Sequence, residues 1–175
     1  MTTKTRKSGA SRRPATSLLR HIRLFATDVD GVLTDAGMYY SESGDEWKKF
    51  NTRDGMGIKL LQRAGLITAI VTQERTRLVA RRAEKLAIPE LHQGVMDKLS
   101  VIRDMAARHG ISLDQVAYIG DDVNDLEALK AVGLSASPAD GLPQVVRIVR
   151  YVCKKKGGEG DRKSTRLNSS HIPLS

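Results

Sequence analysis

Two aspartates separated by a single residue define the chemistry to look for. In Phe25-Ala26-Thr27-Asp28-Val29-Asp30-Gly31 the carboxylates of Asp28 and Asp30 follow an apolar run that starts at Ile22 and reads as a short buried strand. Side chains alternate along extended chain, so residues two apart share a face. Two carboxylates on one face repel unless a cation or a proton separates them. Gly31 lets the backbone turn and approach a ligand closely. This arrangement suits phosphoryl transfer, with one carboxylate attacking phosphorus while the other gives and takes a proton. A hard cation would hold the attacking group and the phosphate together. The bland alternative is a calcium loop. The EF-hand pattern needs an oxygen ligand at its fifth position and glycine at its sixth; here those positions are Val32 and Leu33.

Other polar groups follow later apolar runs. Thr72 ends Leu66–Val71 and precedes Gln73 and Glu74. A threonine hydroxyl with the free N–H groups of a following helix start makes a phosphate cradle; alone, it is equally a helix cap. Lys98 opens a helix and can neutralise a phosphate, although a lysine is ordinarily solvated. Gly120-Asp121-Asp122-Val123-Asn124-Asp125 follows the apolar Val116–Ile119. Four oxygen-bearing side chains in so short a loop point to magnesium.

These groups need a scaffold that brings strand ends together. Ala36–Tyr40 and Glu46–Phe50 flank a Ser/Gly/Asp turn and read as a projecting β-hairpin. Such an aromatic hairpin often meets a partner chain. Asp54 can cap a helix with Ile58, Leu60 and Leu61 inward, ending at Gly65. Further helices are expected over about Arg75–Leu86, Asp97–His109, Asn124–Val132 and Gly141–Arg150. Strands are expected at Leu66–Val71, Leu91–Gln93, Val116–Ile119, Leu134–Ala136 and Tyr151–Cys153. Alternating strands and helices imply an α/β fold, a doubly wound parallel sheet covered on both faces. Ligands in such sheets bind beyond the carboxyl ends of the strands.

Length and charge limit the alternatives. The chain of 175 residues suits one domain with a sizeable core. No run reaches the roughly 18 apolar residues of a membrane span, and the first residues lack the apolar stretch of a secretory signal. A single cysteine, Cys153, excludes an internal disulfide and fits a reducing, cytoplasmic setting. The net charge of +9 is unevenly spread. Residues 1–23 carry 7 Lys/Arg and no acid, and residues 154–175 carry 6 against 2 acids. Residues 24–153 hold 16 basic and 18 acidic side chains, so the body is near neutral. That argues against a nucleic-acid binder, which shows a basic stripe on the fold itself. Residues 1–21 read as a disordered basic extension, of a composition that an organelle transit peptide shares. Residues 22–160 read as the folded domain. Asp161–His171 resembles the translation of a DNA-sequencing adapter, so 161–175 read as a non-native tail.

Taken in order, DVDGVLTD, Thr72, Lys98 and GDDVND resemble the haloacid dehalogenase phosphatase superfamily. The stretches KKFNTRDGMGIKLL, HQGVMDKL, VGLSASPAD and KKGGEG are similar to its small capless branch. That branch dephosphorylates 3-deoxy-ulosonic acids: 3-deoxy-manno-octulosonate 8-phosphate, or acylneuraminate and KDN 9-phosphates. The resemblance implies Asp28 as nucleophile and Asp30 as general acid/base. It implies Mg2+ on Asp28, Asp121 and the Asp30 carbonyl, with Thr72 and Lys98 on the phosphate. Asp122, Asn124 and Asp125 would orient the metal and Lys98. It also implies a homotetramer in which hairpins pack centrally and a neighbour closes each site. Where octulosonate phosphatases usually read Thr-Gly-Arg, this chain has Thr72-Gln73-Glu74. Glu74 would face Lys85 three helical turns on, a substrate-binding pair that resembles the nine-carbon branch. A rival from another class is a non-catalytic assembly module, as is fused to some acylneuraminate cytidylyltransferases. Such a module would lose the Asp28/Asp30 pair.

Overall fold

The computed structural model describes residues 16–160. The adapter-like tail and the first fifteen residues of the basic extension lie outside the described residues. Helix α1 (Thr16–His21) precedes the expected start of the domain, and Leu19 packs with Ile22, Ala117 and Leu134. The folded body therefore reaches back into the stretch read as disordered, because Leu18 and Leu19 supply an apolar edge in an otherwise basic sequence.

The core is one six-stranded sheet of β1 (Leu24–Thr27), β4 (Ile67–Val71), β5 (Glu90–His92), β6 (Val116–Ile119), β7 (Leu134–Ser137) and β8 (Tyr151–Val152). Its order is β5-β4-β1-β6-β7-β8, and every pairing is parallel. The chain winds outward from β1 to β5, then returns to β6 and winds the other way. The reversal lies between β1 and β6, where this topology opens a crevice at the strand ends.

Alternation divides the sheet residues between two cores. Leu24, Ala26, Ala69, Val71, Val116 and Tyr118 pack against Ile102, Met105 and Ala106 of α4 (Lys98–Arg108) and Ala128 and Leu129 of α5 (Leu126–Ala131). On the other face Ile70 meets Ile58 of α2 (Thr52–Arg63) and Val79, Ala83 and Leu86 of α3 (Arg77–Leu86). Ile102 is fully buried, so its truncation to alanine would cost about 2–5 kcal/mol. The last helix, α6 (Pro143–Ile148), leads into β8 at the sheet edge.

Helix starts follow side-chain caps, and two differ from the sequence reading. The cap of α2 is Asn51, whose side chain accepts from the Arg53 N–H, so Asp54 lies inside the first turn. The cap of α3 is Thr76, which accepts from Val79 N–H, so the helix starts beyond Glu74 and Arg75. Asp97 caps α4 as its sequence implies. The hairpin is antiparallel but short, β2 (Tyr39–Tyr40) against β3 (Glu46–Trp47), with Tyr39 opposite Trp47. Its aromatic side chains face outward, Tyr40 at 68% and Trp47 at 61% exposure. Among the described residues no helix is long and apolar enough to cross a membrane.

The final described segment threads back to the crevice. Gly158 donates to the Val32 carbonyl at 3.0 Å, and Asn51 Nδ2 donates to the Gly158 carbonyl at 3.0 Å. A Cβ on Gly157 would lie 2.0 Å from the Gly31 carbonyl oxygen, so only glycine fits there.

Candidate active site

The residues singled out in the sequence meet at the ends of β1, β4 and β6. Asp28 continues the β1–β6 pairing, its N–H donating to the Ile119 carbonyl at 3.0 Å. One of its carboxylate oxygens accepts from Val29 N–H at 2.7 Å, and the other from Lys98 Nζ at 2.6 Å. Gly31, at φ +75°, turns the chain beneath Asp121; a Cβ there would meet the Asp121 carboxylate at 2.0 Å. The backbone thus passes where no other residue could, and the two acidic loops approach each other.

Lys98 enters from the first turn of α4 and is buried. Its three ammonium donors find Asp28 at 2.6 Å, Asp125 at 2.6 Å and Asn124 at 3.3 Å. Burial alone would lower its pKa, but the two carboxylates outweigh it and hold the ammonium above its usual range. Lys98 is therefore first of all the counter-charge of Asp28. Only the long Asn124 bond is readily exchanged for a ligand oxygen.

Asp125 is fully buried and saturated. It accepts from Lys98 and from Tyr118 OH at 2.6 Å each, and from the N–H groups of Asp121 and Asp122 at 3.0 and 3.1 Å. Gly120 leaves the room for it, since a Cβ there would sit 2.4 Å from its carboxyl carbon. Asp122 points outward and caps the short 3-10 turn Val123–Asp125, accepting from Val123 N–H at 2.5 Å. Asn124 donates to Gln73 at 3.0 Å and so ties this loop to the one after β4. In that loop Thr72 is buried, its backbone bonded to the His92 carbonyl and Val95 N–H.

Oxygens of Asp28, Asp121 and Asp125 come within 4.8 Å of one another. The lone pairs of Asp125 are committed to four donors, which leaves Asp28 and Asp121 as the carboxylates available to a cation. Asp121 Oδ1 is buried without a hydrogen-bond partner. Burial, then the charges of Asp28, Asp125 and Asp122, push the Asp121 carboxyl up to about 7. Burial likewise pushes Asp28 up to about 6 despite Lys98. Two carboxyls whose affinity for protons is raised by burial, around an orphaned oxygen, fit a hard divalent cation, which would compete with protons there.

Asp30 lies on the rim. Its carboxylate accepts from Lys48 Nζ at 2.5 Å and, at 3.4 Å, from the Thr34 hydroxyl. The same ammonium reaches Glu74. This corrects the Glu74–Lys85 pairing: Glu74 precedes α3, so helical spacing does not apply to it. Lys85 is exposed in the last turn, and no ion pair joins the two. The sequence reading missed Lys48 and Tyr118. Nothing local separates Lys48 from Lys49, which instead bonds Asp35 at 3.1 Å. Tyr118 reads as an ordinary strand aromatic until Asp125 is seen beneath it. A separate, largely apolar pocket of about 90 Å³ is lined by Phe25, Ala117 and Leu134 together with Leu19. Neither Asp28 nor Asp121 lines it.

Known proteins resemble the chain over most of its length. Residues 84–160 match a family described as haloacid dehalogenase-like hydrolases. A 3-deoxy-D-manno-octulosonate 8-phosphate phosphatase of Yersinia pestis is 42% identical over 140 residues, 80% of this chain and 75% of that protein. The Moraxella catarrhalis phosphatase of the same name, solved with a magnesium ion, a phosphate ion and KDO, superposes with a TM-score of 0.85. It is 38% identical, over 87% of this chain and 88% of that one. A cobalt-bound form of the Haemophilus influenzae enzyme gives 0.82 at 36% identity, over 86% and 89%.

Proposed function

The chain belongs to the haloacid dehalogenase-like hydrolases as a phosphatase of their α/β fold, and on that premise we propose that it hydrolyses a phosphorylated 3-deoxy-ulosonic acid through a phosphoaspartate. The octulosonate 8-phosphate is the substrate that the relatives favour. The observation that carries the reading is the pair at the end of β1. Asp28 is buried and charge-matched by Lys98, and Asp30 stands on the rim.

Asp28 attacks phosphorus as the ester P–O bond breaks, and the departing alkoxide takes a proton from Asp30. Asp30 then removes a proton from water. The water oxygen attacks the phosphorus of the aspartyl phosphate, releasing inorganic phosphate and freeing Asp28. Mg2+ would be held by Asp28, Asp121 and the Asp30 carbonyl, where it supplies electrophilic stabilisation of the phosphoryl oxygens. Thr72 and Lys98 contribute to phosphate binding, and Lys98 keeps Asp28 from repelling the incoming anion. Asp125, Asn124 and Tyr118 hold Lys98 and the loop in place. A homotetramer that docks through the aromatic hairpin, in the cytoplasm, fits an open site without a covering domain. For function we keep the division into a basic extension, a phosphatase domain and a tail from 161 to 175, with the domain taken to begin at α1 (Thr16–His21) instead of at Ile22. The cytidylyltransferase module finds no support, since the catalytic pair is intact and the relatives named above are phosphatases.

Phosphate release decides the matter. With Mg2+, the protein should hydrolyse the octulosonate 8-phosphate faster than acylneuraminate or KDN 9-phosphates, and Asp28→Asn should lower that rate by about three orders of magnitude or more. Preference for a 9-phosphate would move the substrate to the nine-carbon branch. Ordinary turnover by Asp28→Asn would remove the mechanism.

A further inference from the structure

Lys48 has no part in the scheme above, yet its placement is specific. It follows Trp47 at the foot of the hairpin, and its side chain is 1% exposed. Its ammonium lies between Asp30, at 2.5 Å, and Glu74. The three residues come from three separate loops, those after β1, β3 and β4. A covered lysine loses side-chain entropy and hydration, and a solvated one would lose neither. Here the charge is matched by two carboxylates that remain 29% and 39% exposed.

We propose that Lys48 is the positioning residue of Asp30, holding its carboxylate at the rim by one oxygen while Glu74 anchors the ammonium from the far side. The proposal rests on the functional reading above, in which Asp30 moves the proton. A carboxylate on a loop otherwise samples several rotamers, and only one faces the leaving oxygen. Fixing one oxygen on a fixed cation leaves the second free to face the substrate. Among the described residues Asp30 has no comparable anchor elsewhere: its other bond, from the Thr34 hydroxyl, is long at 3.4 Å. Glu74 keeps Lys48 from swinging toward the incoming phosphate, because the ammonium is already shared. The arrangement also ties proton transfer to the hairpin, since Lys48 follows the strand that pairs with Tyr39 and Tyr40.

The test is steady-state kinetics with Mg2+ on the best ulosonate phosphate for wild type, Lys48→Met, Lys48→Arg and Glu74→Gln. Misplacing one reacting group costs up to about a hundred-fold. Lys48→Met should therefore lose roughly ten- to a hundred-fold in kcat, with KM and the Mg2+ half-saturation each moving less than about three-fold. Lys48→Arg should recover most of the loss, because arginine can also reach two carboxylates. Glu74→Gln leaves Lys48 on Asp30, so its kcat should fall much less than that of Lys48→Met. A loss confined to KM would make Lys48 a substrate-binding cation and overturn the assignment. So would an arginine variant as slow as the methionine one with an equal fall in melting temperature, which would mark packing. A Glu74→Gln variant as impaired as Lys48→Met would transfer the role to Glu74. If the wild type releases phosphate from no ulosonate ester, the functional reading fails and takes this inference with it. If the wild type turns over and Lys48→Met keeps pace, the inference alone fails.

Discussion

Lys98 and Lys48 make the same contact in two different settings. Each side chain is 1% exposed, each ammonium bridges two carboxylates, and each grips one member of the Asp28/Asp30 pair. Lys98 starts a helix in the core, and its partners Asp28 and Asp125 are 8% and 0% exposed. Lys48 leaves a surface hairpin and lies at shallow depth, with half-open partners. Burial alone would lower the pKa of either lysine, and in each the carboxylates win and raise it. The difference lies in what happens to the acids if the cation is removed. Around Lys98 two charges would remain where water does not reach; around Lys48 the solvent would take over.

Deleting each cation tests that contrast most severely. Lys98→Met should destabilise the protein by about 3–5 kcal/mol, the usual cost of an orphaned buried charge, and abolish turnover. Lys48→Met should stay within about 1 kcal/mol of the wild type. Urea unfolding of both variants measures this, and equal losses would erase the distinction between core and rim.

Acid titration sharpens it next. Without metal, Asp28 and Asp121 carry pKa values of about 6 and about 7 in the folded protein. The same carboxyls titrate near 3.8 when unperturbed. Between these values the folded state binds more protons than the unfolded one, so stability should fall as pH rises from about 4 to about 7 and then level off. Mg2+ should stabilise most above about pH 7, where it takes the place of protons, and progressively less below about 6. Melting temperatures across that range, with and without Mg2+, decide it; metal-free stability that climbs with pH would contradict the buried acidic pair.

The smallest of these effects concerns the support beneath Lys98. Tyr118→Phe removes one 2.6 Å bond to the buried Asp125 carboxylate. It should cost about 1.5–3 kcal/mol, the worth of a hydrogen bond to a charged group. An unchanged unfolding midpoint would show that Asp125 is held by Lys98 and the loop N–H groups alone.

The core half of the comparison was legible in the sequence and the rim half was not. Asp28, Thr72, Lys98 and Asp121 each follow an apolar run or a helix cap, and parallel topology brings such ends together whatever the side chains do. Asp97 and His109 bound α4 as their types suggest. Local capping explains the misplaced starts: Asn51 caps α2 ahead of Asp54, and Thr76 caps α3 one residue after the expected start at Arg75. Helical spacing pairs Glu74 with Lys85, but Glu74 lies before the start of α3 (Arg77–Leu86), where that spacing has no force. Its real partner comes from a hairpin whose docking depends on three loops at once, and no periodicity encodes that. Leu19 failed to register for a similar reason, since its packing depends on strands far along the chain.

The thread of Gly157 and Gly158 against Gly31 and Val32 also fixes an order of assembly. The turn that carries the two aspartates is made early on the ribosome, but the turn at Gly157 and Gly158 that walls it follows every described strand and helix. Closing so long a loop is entropically slow and comes late in folding. A nascent chain halted before Gly157 could form its sheet and bind its helices, yet the aspartate turn would still lack one wall. The aspartate turn therefore gains this wall only after all six strands of the sheet have been made.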